Sequence, residues 1–272
     1  MQSNQPPVAL ITGGSAGLGF VVARTFLDAG YRVVIVGRTP ERLNQAVERL
    51  AADTDTLTAQ PCDLTRREEV ERLIGRVDEQ YGRLDVLINC VGASDRGLVE
   101  NLEPDKLQEL IAQNVCTALL CSQAALPMLE KTRGVIVNVG SLAAKVGARY
   151  IGGYTAAKHA LAGLTQQMRL ELKPRGVHVA LVNPGPIRRD DAGTRYDDQI
   201  DPSVPQQASQ PGAGARVKGL PPEKVAAAIL RSVQRRRIDV VMPGYMRVLI
   251  AVGHACPRLG DWLLLKFTSA KQ

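Results

Sequence analysis

The sequence predicts an α/β fold, a doubly wound parallel sheet of about seven strands with helices on both faces. Three observations predict it. Short apolar runs such as Val8-Ala9-Leu10-Ile11-Thr12 and Arg32-Val33-Val34-Ile35-Val36 show no polar alternation. That is the mark of strands buried on both faces. A helix-length amphipathic stretch separates nearly every such run from the next, and right-handed crossovers then wind the chain over both sides of one sheet. The 272 residues, 45% hydrophobic, are enough for one large core.

Taken in order, 8–12 is the first strand and 18–29 the first helix, with Gly30 placed to end it. Residues 32–36 form the second strand, and 40–51 a helix with Pro40 in its first turn. A strand over 57–60 precedes a charged helix over 66–81, and 84–90 is an apolar strand. Residues 104–131 carry a long helical pattern that Pro127 bends or ends. The strand 134–139, the long helix 151–173 and the strand 177–182 follow. From 186 to 222 the chain is rich in Pro, Gly, Gln, Asp and Arg, and a loop of that length after a strand's carboxyl end reads as a substrate-side lid. Helix 222–234 and strand 238–242 complete a single catalytic domain over 7–243. Residues 244–272 form an apolar helical extension, broken near Pro257.

Composition narrows the function. The net charge of +7 reads as solvated helix faces plus an anionic small ligand. The one tight basic run, Arg235-Arg236-Arg237, has no interleaved aromatics, which argues against nucleic acid. Five scattered cysteines without a CxxC, three of them (Cys90, Cys116 and Cys121) in apolar runs, point to a reducing compartment and away from a disulfide framework or zinc site. His159, His178 and His254 lack ligand spacing, so no metal is expected. Residues 1–7 lack the basic and apolar regions of a signal peptide, and no stretch reaches the ~20 apolar residues of a spanning helix. The expectation is a cytoplasmic protein.

The most telling residues are Tyr154-Thr155-Ala156-Ala157-Lys158. On a helix, Tyr154 and Lys158 share one face. A free phenol, with a pKa of roughly 10, is a poor base at neutral pH, and a neighbouring ammonium favours the phenolate. The pair makes an acid/base catalyst usable near neutrality. Upstream, Thr12-Gly13-Gly14-Ser15-Ala16-Gly17-Leu18-Gly19 follows the first strand and opens the first helix. In that context the glycines permit a tight turn and close backbone approach, and amides at the helix start can hold a pyrophosphate.

In these motifs the chain resembles the short-chain dehydrogenase/reductase family in its roughly 250-residue, Rossmann-like form. The resemblance spans about residues 7–243. Thr12 to Gly19 match the family's Thr-Gly-x-x-x-Gly-x-Gly turn, and Ser141 stands 13 residues before Tyr154, as the family's serine does. Asn114 fits its asparagine in the central helix, and Pro184-Gly185 its Pro-Gly after the sixth strand. Its Asn-Asn-Ala-Gly is altered here to Asn89-Cys90-Val91-Gly92.

The resemblance implies an oxidoreductase that moves a hydride between a nicotinamide cofactor and a carbonyl or secondary alcohol. Tyr154 would exchange the proton, Ser141 would hold the substrate oxygen, and Lys158 would support the phenolate and bind ribose hydroxyls. Asn114 would support a water in a proton relay. Cofactor contacts are implied for Gly13, Ser15, Ala16, Gly17, Leu18 and Gly19, for Arg38 and Thr39, and for Asp63 and Leu64 at the adenine. Asn89, Cys90, Val91 and Gly92 would line the dinucleotide channel, with Pro184, Gly185 and Ile187 by the nicotinamide and Tyr154 and Lys158 by its ribose. Gly37 stands where an acidic residue would select NAD(H), and Arg38 follows, so NADP(H) is expected over NAD(H). Ala16 departs from relatives with a second basic residue in the turn. No threonine follows Pro184-Gly185 before Thr194, and Arg188 and Arg189 read equally as pyrophosphate ligands, acidic-substrate ligands or solvated loop.

The apolar tail reads as packing over the substrate cleft or against a partner subunit, with peripheral membrane contact as the alternative. With the lid, it points to a hydrophobic small-molecule substrate. An acyl-carrier ketoreductase is the alternative enzyme, and a non-catalytic NADP sensor or scaffold the alternative outside enzymes. The resemblance implies a homodimer or homotetramer through 104–131 and 151–173.

Overall fold

The computed structural model describes residues 5–188, 204–205, 208, 212 and 217–268, the last two of these as backbone. Seven strands, β1 (Val8–Thr12), β2 (Arg32–Gly37), β3 (Leu57–Pro61), β4 (Val86–Asn89), β5 (Val135–Val139), β6 (His178–Pro184) and β7 (Asp239–Met242), make one sheet in the order β3-β2-β1-β4-β5-β6-β7. Every neighbouring pair is parallel. All carboxyl ends therefore face one edge, and the order reverses between β1 and β4, where such sheets open a crevice.

The helices are α1 (Gly17–Asp28), α2 (Pro40–Leu50), α3 (Arg67–Tyr81), α4 (Pro104–Ile111), α5 (Thr117–Thr132), α6 (Gly152–Leu172), α7 (Pro222–Gln234), α8 (Met246–Ala255) and α9 (Pro257–Thr268). Pro at the start of α2, α4 and α7 supplies a preset φ where no N–H is needed. Gly82, at φ +62, ends α3 in the left-handed conformation.

The strand side chains alternate between two cores. Ala9, Ile11, Val33, Ile35 and Ile88 face α1, α2 and α7, where Phe26, Leu43 and Ile229 meet them. Val8, Leu10, Val34, Leu87 and Ile136 face α3, α5 and α6, where Leu73, Leu129 and Leu172 meet them. At roughly 1.5–3 kcal/mol for each large side chain buried, both faces of the sheet contribute to its stability.

Three expectations are corrected. The strand expected over 84–90 contracts to Val86–Asn89. The Asp85 carboxylate turns aside to accept from Val8 N at 2.8 Å and to pair with Arg83 at 2.7 Å. The helix expected over 104–131 passes Pro127 and runs to Thr132, but as α4, a π-helical segment over Ala112–Cys116, and α5. This continuous helix, Pro104–Thr132, also contains an 18-residue window of mean hydropathy 1.2, long and apolar enough by length and composition to cross a membrane, where no such stretch was expected. Its Leu110, Cys121, Ala125 and Leu129 are buried, so its apolar face is that of a core helix. Of the expected lid, Arg189 and Thr194 lie outside the described residues. Its two ends pair as Arg188 N to Leu220 O, 2.8 Å, and Leu220 N to Pro186 O, 2.7 Å.

Candidate active site

The glycine turn lies at the carboxyl end of β1. Gly13 sits at φ +68, and a Cβ on Gly19 would lie 2.2 Å from the Gly13 carbonyl oxygen, so a side chain there would break the turn. The Thr12 hydroxyl accepts from Cys90 N at 2.9 Å, which ties the turn to the segment after β4. No side chain caps the start of α1 at Ala16, and Ala16 and Gly17 are exposed. Its first N–H groups are thus open to an anion.

At the end of β2, Gly37 packs beside the Ser15 hydroxyl, Arg38 is exposed, and Thr39 opens α2. Among the described residues Arg38 makes no ion pair. Asp63 Oδ1 accepts from Thr65 N and Oγ1 at 3.0 and 2.7 Å. Those bonds, with Arg38 and Arg66 nearby, hold its carboxyl below the usual range.

Two of the expected cofactor contacts have inward-facing side chains. Leu64 is 4% exposed and its side chain belongs to the core, leaving only its backbone for a ligand. Asn89 likewise turns inward. Its Nδ2 donates to Asn138 Oδ1 at 2.8 Å and to Ser122 Oγ at 3.2 Å, and Asn138 donates to Thr165 Oγ1 at 2.9 Å. This polar chain crosslinks β4, β5, α5 and α6. The segment 90–92 faces the glycine turn instead: a Cβ on Gly13 would meet Val91 Cγ2 at 3.3 Å. Pro184 and Gly185 are buried at the end of β6, with Gly185 N donating to Met242 O at 2.7 Å, and Ile187 packs against the core.

Lys158 and Asn114 converge below Gly92. The Lys158 ammonium donates to Val139 O at 3.0 Å and lies 5.7 Å from the Tyr154 ring centroid. Burial pushes its pKa down to about 8, partly opposed by negative charge on the nearby Cys90 sulfur. Asn114 Nδ2 donates to Ala93 O and Leu110 O, both at 2.9 Å, inside the π-helical segment. Its Oδ1 is buried and finds no partner among the described residues. A Cβ on Gly92 would lie 2.6 Å from that oxygen and 3.3 Å from Lys158 Nζ. The missing side chain keeps open a polar gap between acceptor and cation.

Ser141 follows β5 and its hydroxyl oxygen accepts from Ala143 N at 3.1 Å, which caps the 3-10 turn Leu142–Ala144. The hydroxyl proton is left to donate elsewhere. Tyr154 lies in the first turn of α6 and is partly exposed. Ser141 thus follows β5, Tyr154 and Lys158 lie on α6, and Asn114 and Lys158 meet at Gly92, in the segment after β4.

Sequence reasoning missed Asp95. The residues before α6, Tyr150 and the N-cap Ile151, include no capping side chain. Asp95 supplies the cap from 58 residues away: Oδ2 accepts from Gly153 N at 3.1 Å and Oδ1 from Tyr154 N at 2.9 Å. Gly153 leaves room for it, since a Cβ there would meet Oδ2 at 2.8 Å. Gly97 N adds a bond to Tyr150 O at 3.0 Å. Next in sequence, buried Arg96 donates from Nε to Ala208 O at 2.7 Å, so one dipeptide touches both the Tyr154 helix and the lid region. The absence of a local cap before a long helix was the available signal. Among the described residues, no group of three or more His, Cys, Asp or Glu side chains could hold a metal ion.

The short chain dehydrogenase family profile matches residues 7–199. Dehydrogenase/reductase SDR family member 7B of Danio rerio is 33% identical over 249 residues, 88% of this chain and 78% of that protein. A 3alpha-hydroxysteroid dehydrogenase of Mediterraneibacter gnavus is 33% identical over 186 residues, 67% of this chain and 74% of that protein. Among solved structures, ElxO with NADP bound superposes with a TM-score of 0.77 at 26% identity, covering 89% of this chain and 100% of that one. A variant actinorhodin polyketide ketoreductase with NADPH gives 0.78 at 26%, covering 90% and 98%. The chain belongs to the short-chain dehydrogenase/reductase family. It is an NAD(P)-binding oxidoreductase of CH–OH and C=O groups.

Replacing Asp95 with Ala is expected to lower stability by about 1–2 kcal/mol, the loss typical of a helix cap. Asp95→Asn, which keeps one acceptor oxygen, should lose clearly less. Urea denaturation of the three proteins checks this.

Proposed function

We propose that this chain is an NADP(H)-dependent oxidoreductase that interconverts a hydrophobic ketone or aldehyde with its alcohol, using Tyr154, Lys158, Ser141 and Asn114. The observation that carries the proposal is the gap at Gly92, where an unpartnered buried oxygen of Asn114 and the Lys158 ammonium face each other beside Tyr154. A buried acceptor and a buried cation gathered beside Gly92 suit a bound water and a proton path.

The cofactor fits the residues present. The uncapped start of α1 and the turn Gly13 to Gly19 would hold its pyrophosphate, Asp63 its adenine and Lys158 its nicotinamide ribose. Arg38 would hold a ribose 2′-phosphate, for which a guanidinium fork is well shaped. When bound, the nicotinamide gives or accepts the hydride. The chain's own groups handle the proton. Ser141 donates its hydroxyl hydrogen to the substrate oxygen and fixes it against Tyr154. In reduction the Tyr154 phenol gives its proton to that oxygen as it becomes an alcohol; in oxidation the phenolate takes it. The Lys158 cation favours the phenolate, and a water on Asn114 Oδ1 returns the proton through Lys158.

Support for a hydrophobic substrate comes from the apolar helices α8 and α9 and from the similarity to a hydroxysteroid dehydrogenase and a polyketide ketoreductase. A non-catalytic NADP sensor is disfavoured because all four acting residues are intact. Assembly into a homodimer or homotetramer through α5 and α6 is part of the same proposal, and exposed Leu170 on α6 suits it.

Tyr154→Phe is expected to reduce kcat by about a hundredfold or more, in assays following NADPH absorbance with a panel of ketones, while NADPH binding by fluorescence titration stays intact. Retained turnover would contradict the assigned role. Arg38→Ala is expected to lower kcat/KM for NADPH about ten- to a hundredfold, the loss of a charge-assisted bond, and to leave NADH nearly unchanged. Equal or better efficiency of the unaltered chain with NADH would overturn the cofactor assignment.

A further inference from the structure

Beyond the catalytic edge, the described surface is uneven. Seven of its ten exposed large hydrophobic residues fall between 245 and 265: Tyr245, Val248, Leu249, Val252, Leu259, Trp262 and Leu265. They belong to the hairpin of α8 and α9. The two helices meet at Gly253 and Gly260, where a Cβ on Gly260 would lie 2.8 Å from the Gly253 Cα. That close crossing holds the pair together through backbone contact, so the large side chains are not needed between the helices. Ile250 and Gly260 are their only buried residues among those described. An apolar concentration of this kind marks a contact surface rather than ordinary scatter.

We propose that the α8–α9 hairpin docks on an anionic lipid surface. Its charges select that partner. Arg247, Arg258 and Lys266 accompany the apolar side chains, against one acidic residue, Asp261. Lys266 lies over the Trp262 ring, 4.7 Å from its centroid, an amphipathic pair suited to a headgroup boundary. Cations beside exposed Leu, Val and Trp on short helices make an interfacial element. A second copy of the chain is a poorer fit, because a two-fold contact would set the same cations against one another.

The hairpin is also fixed relative to the active site. Arg247 Nη2 donates to Asp239 O at 2.9 Å, at the start of β7. His254 Nε2 bonds the Lys145 carbonyl at 2.8 Å, and Lys145 is four residues beyond Ser141. Lys145 in turn pairs with Asp239 at 2.9 Å. A lipid surface under the hairpin would therefore lie near the rim of the Ser141 side of the cleft. The docking itself does not rest on the oxidoreductase assignment and is read without turnover.

Trp262 is the only tryptophan, so its fluorescence reports the hairpin alone. The full chain is mixed with vesicles of phosphatidylcholine, with or without phosphatidylglycerol, and followed by flotation and Trp emission. Expected are a blue shift and co-flotation with the anionic vesicles, weakened by high salt. Arg258→Gln should bind them about fivefold less tightly, the effect of one surface cation. The double variant Trp262→Glu/Leu265→Glu should lose flotation while keeping its melting temperature and NADPH binding. The proposal is overturned if the full chain floats with neither vesicle type. It is equally overturned if the double variant floats as well as the parent, or halves the solution mass of a parent that does not float.

Discussion

Burial of the Lys158 ammonium is the constraint on which the proposed catalytic edge depends. The residue is 4% exposed, and its pKa is pushed from 10.5 down to about 8. At about 1.4 kcal/mol per unit, that shift corresponds to roughly 3 kcal/mol held against the charged form. The unfolded chain binds this proton more readily than the folded one between pH 8 and 10.5, so the group's penalty on stability is full at pH 7 and fades as pH rises across that window. A fold that keeps a cation there gives up stability at neutral pH. The Val139 carbonyl, the Tyr154 ring and the open space beneath Gly92 are what surround it in return.

The rest of the architecture delivers those partners. Parallel strands send every carboxyl end to one edge, so β1 brings the glycine turn, β4 brings Gly92, and β5 brings both Val139 and Ser141. Asn138, one residue before Val139, is locked to Asn89 and Thr165, which crosslinks the strands and helices on either side of the gap. The π-helical segment turns Asn114 toward Ala93 and away from a regular ladder. Asp95 fixes where α6 begins and so where Tyr154 stands. The arrangement at this edge is built from backbone placement as much as from the side chains gathered there.

Much of this was legible in the sequence because it is carried by local pattern. Unbroken apolar runs such as 8–12 read directly as strands buried on both sides, and the four-residue spacing of Tyr154 and Lys158 reads as one face of a helix, where the ammonium lies 5.7 Å from the ring centroid. What escaped depends on contacts far apart in sequence. The Asp95 cap joins residues 58 and 59 positions apart, and no local rule links them. Asn89 reads as a channel residue from its motif; its side chain is drawn inward by Ser122 and Asn138, which periodicity cannot reveal. The π-helical insertion around Asn114 leaves no mark on hydrophobic spacing, and the helix therefore looked regular until Pro127.

The direct test is titration of the Lys158 side chain itself. An NMR titration of the 13Cε resonance in labelled protein, assigned by its loss in Lys158→Met, should give a midpoint near 8. A midpoint at the ordinary 10.5 or above would mean that the ammonium is solvated, and the buried cation beneath Gly92 on which the catalytic edge is built would not exist.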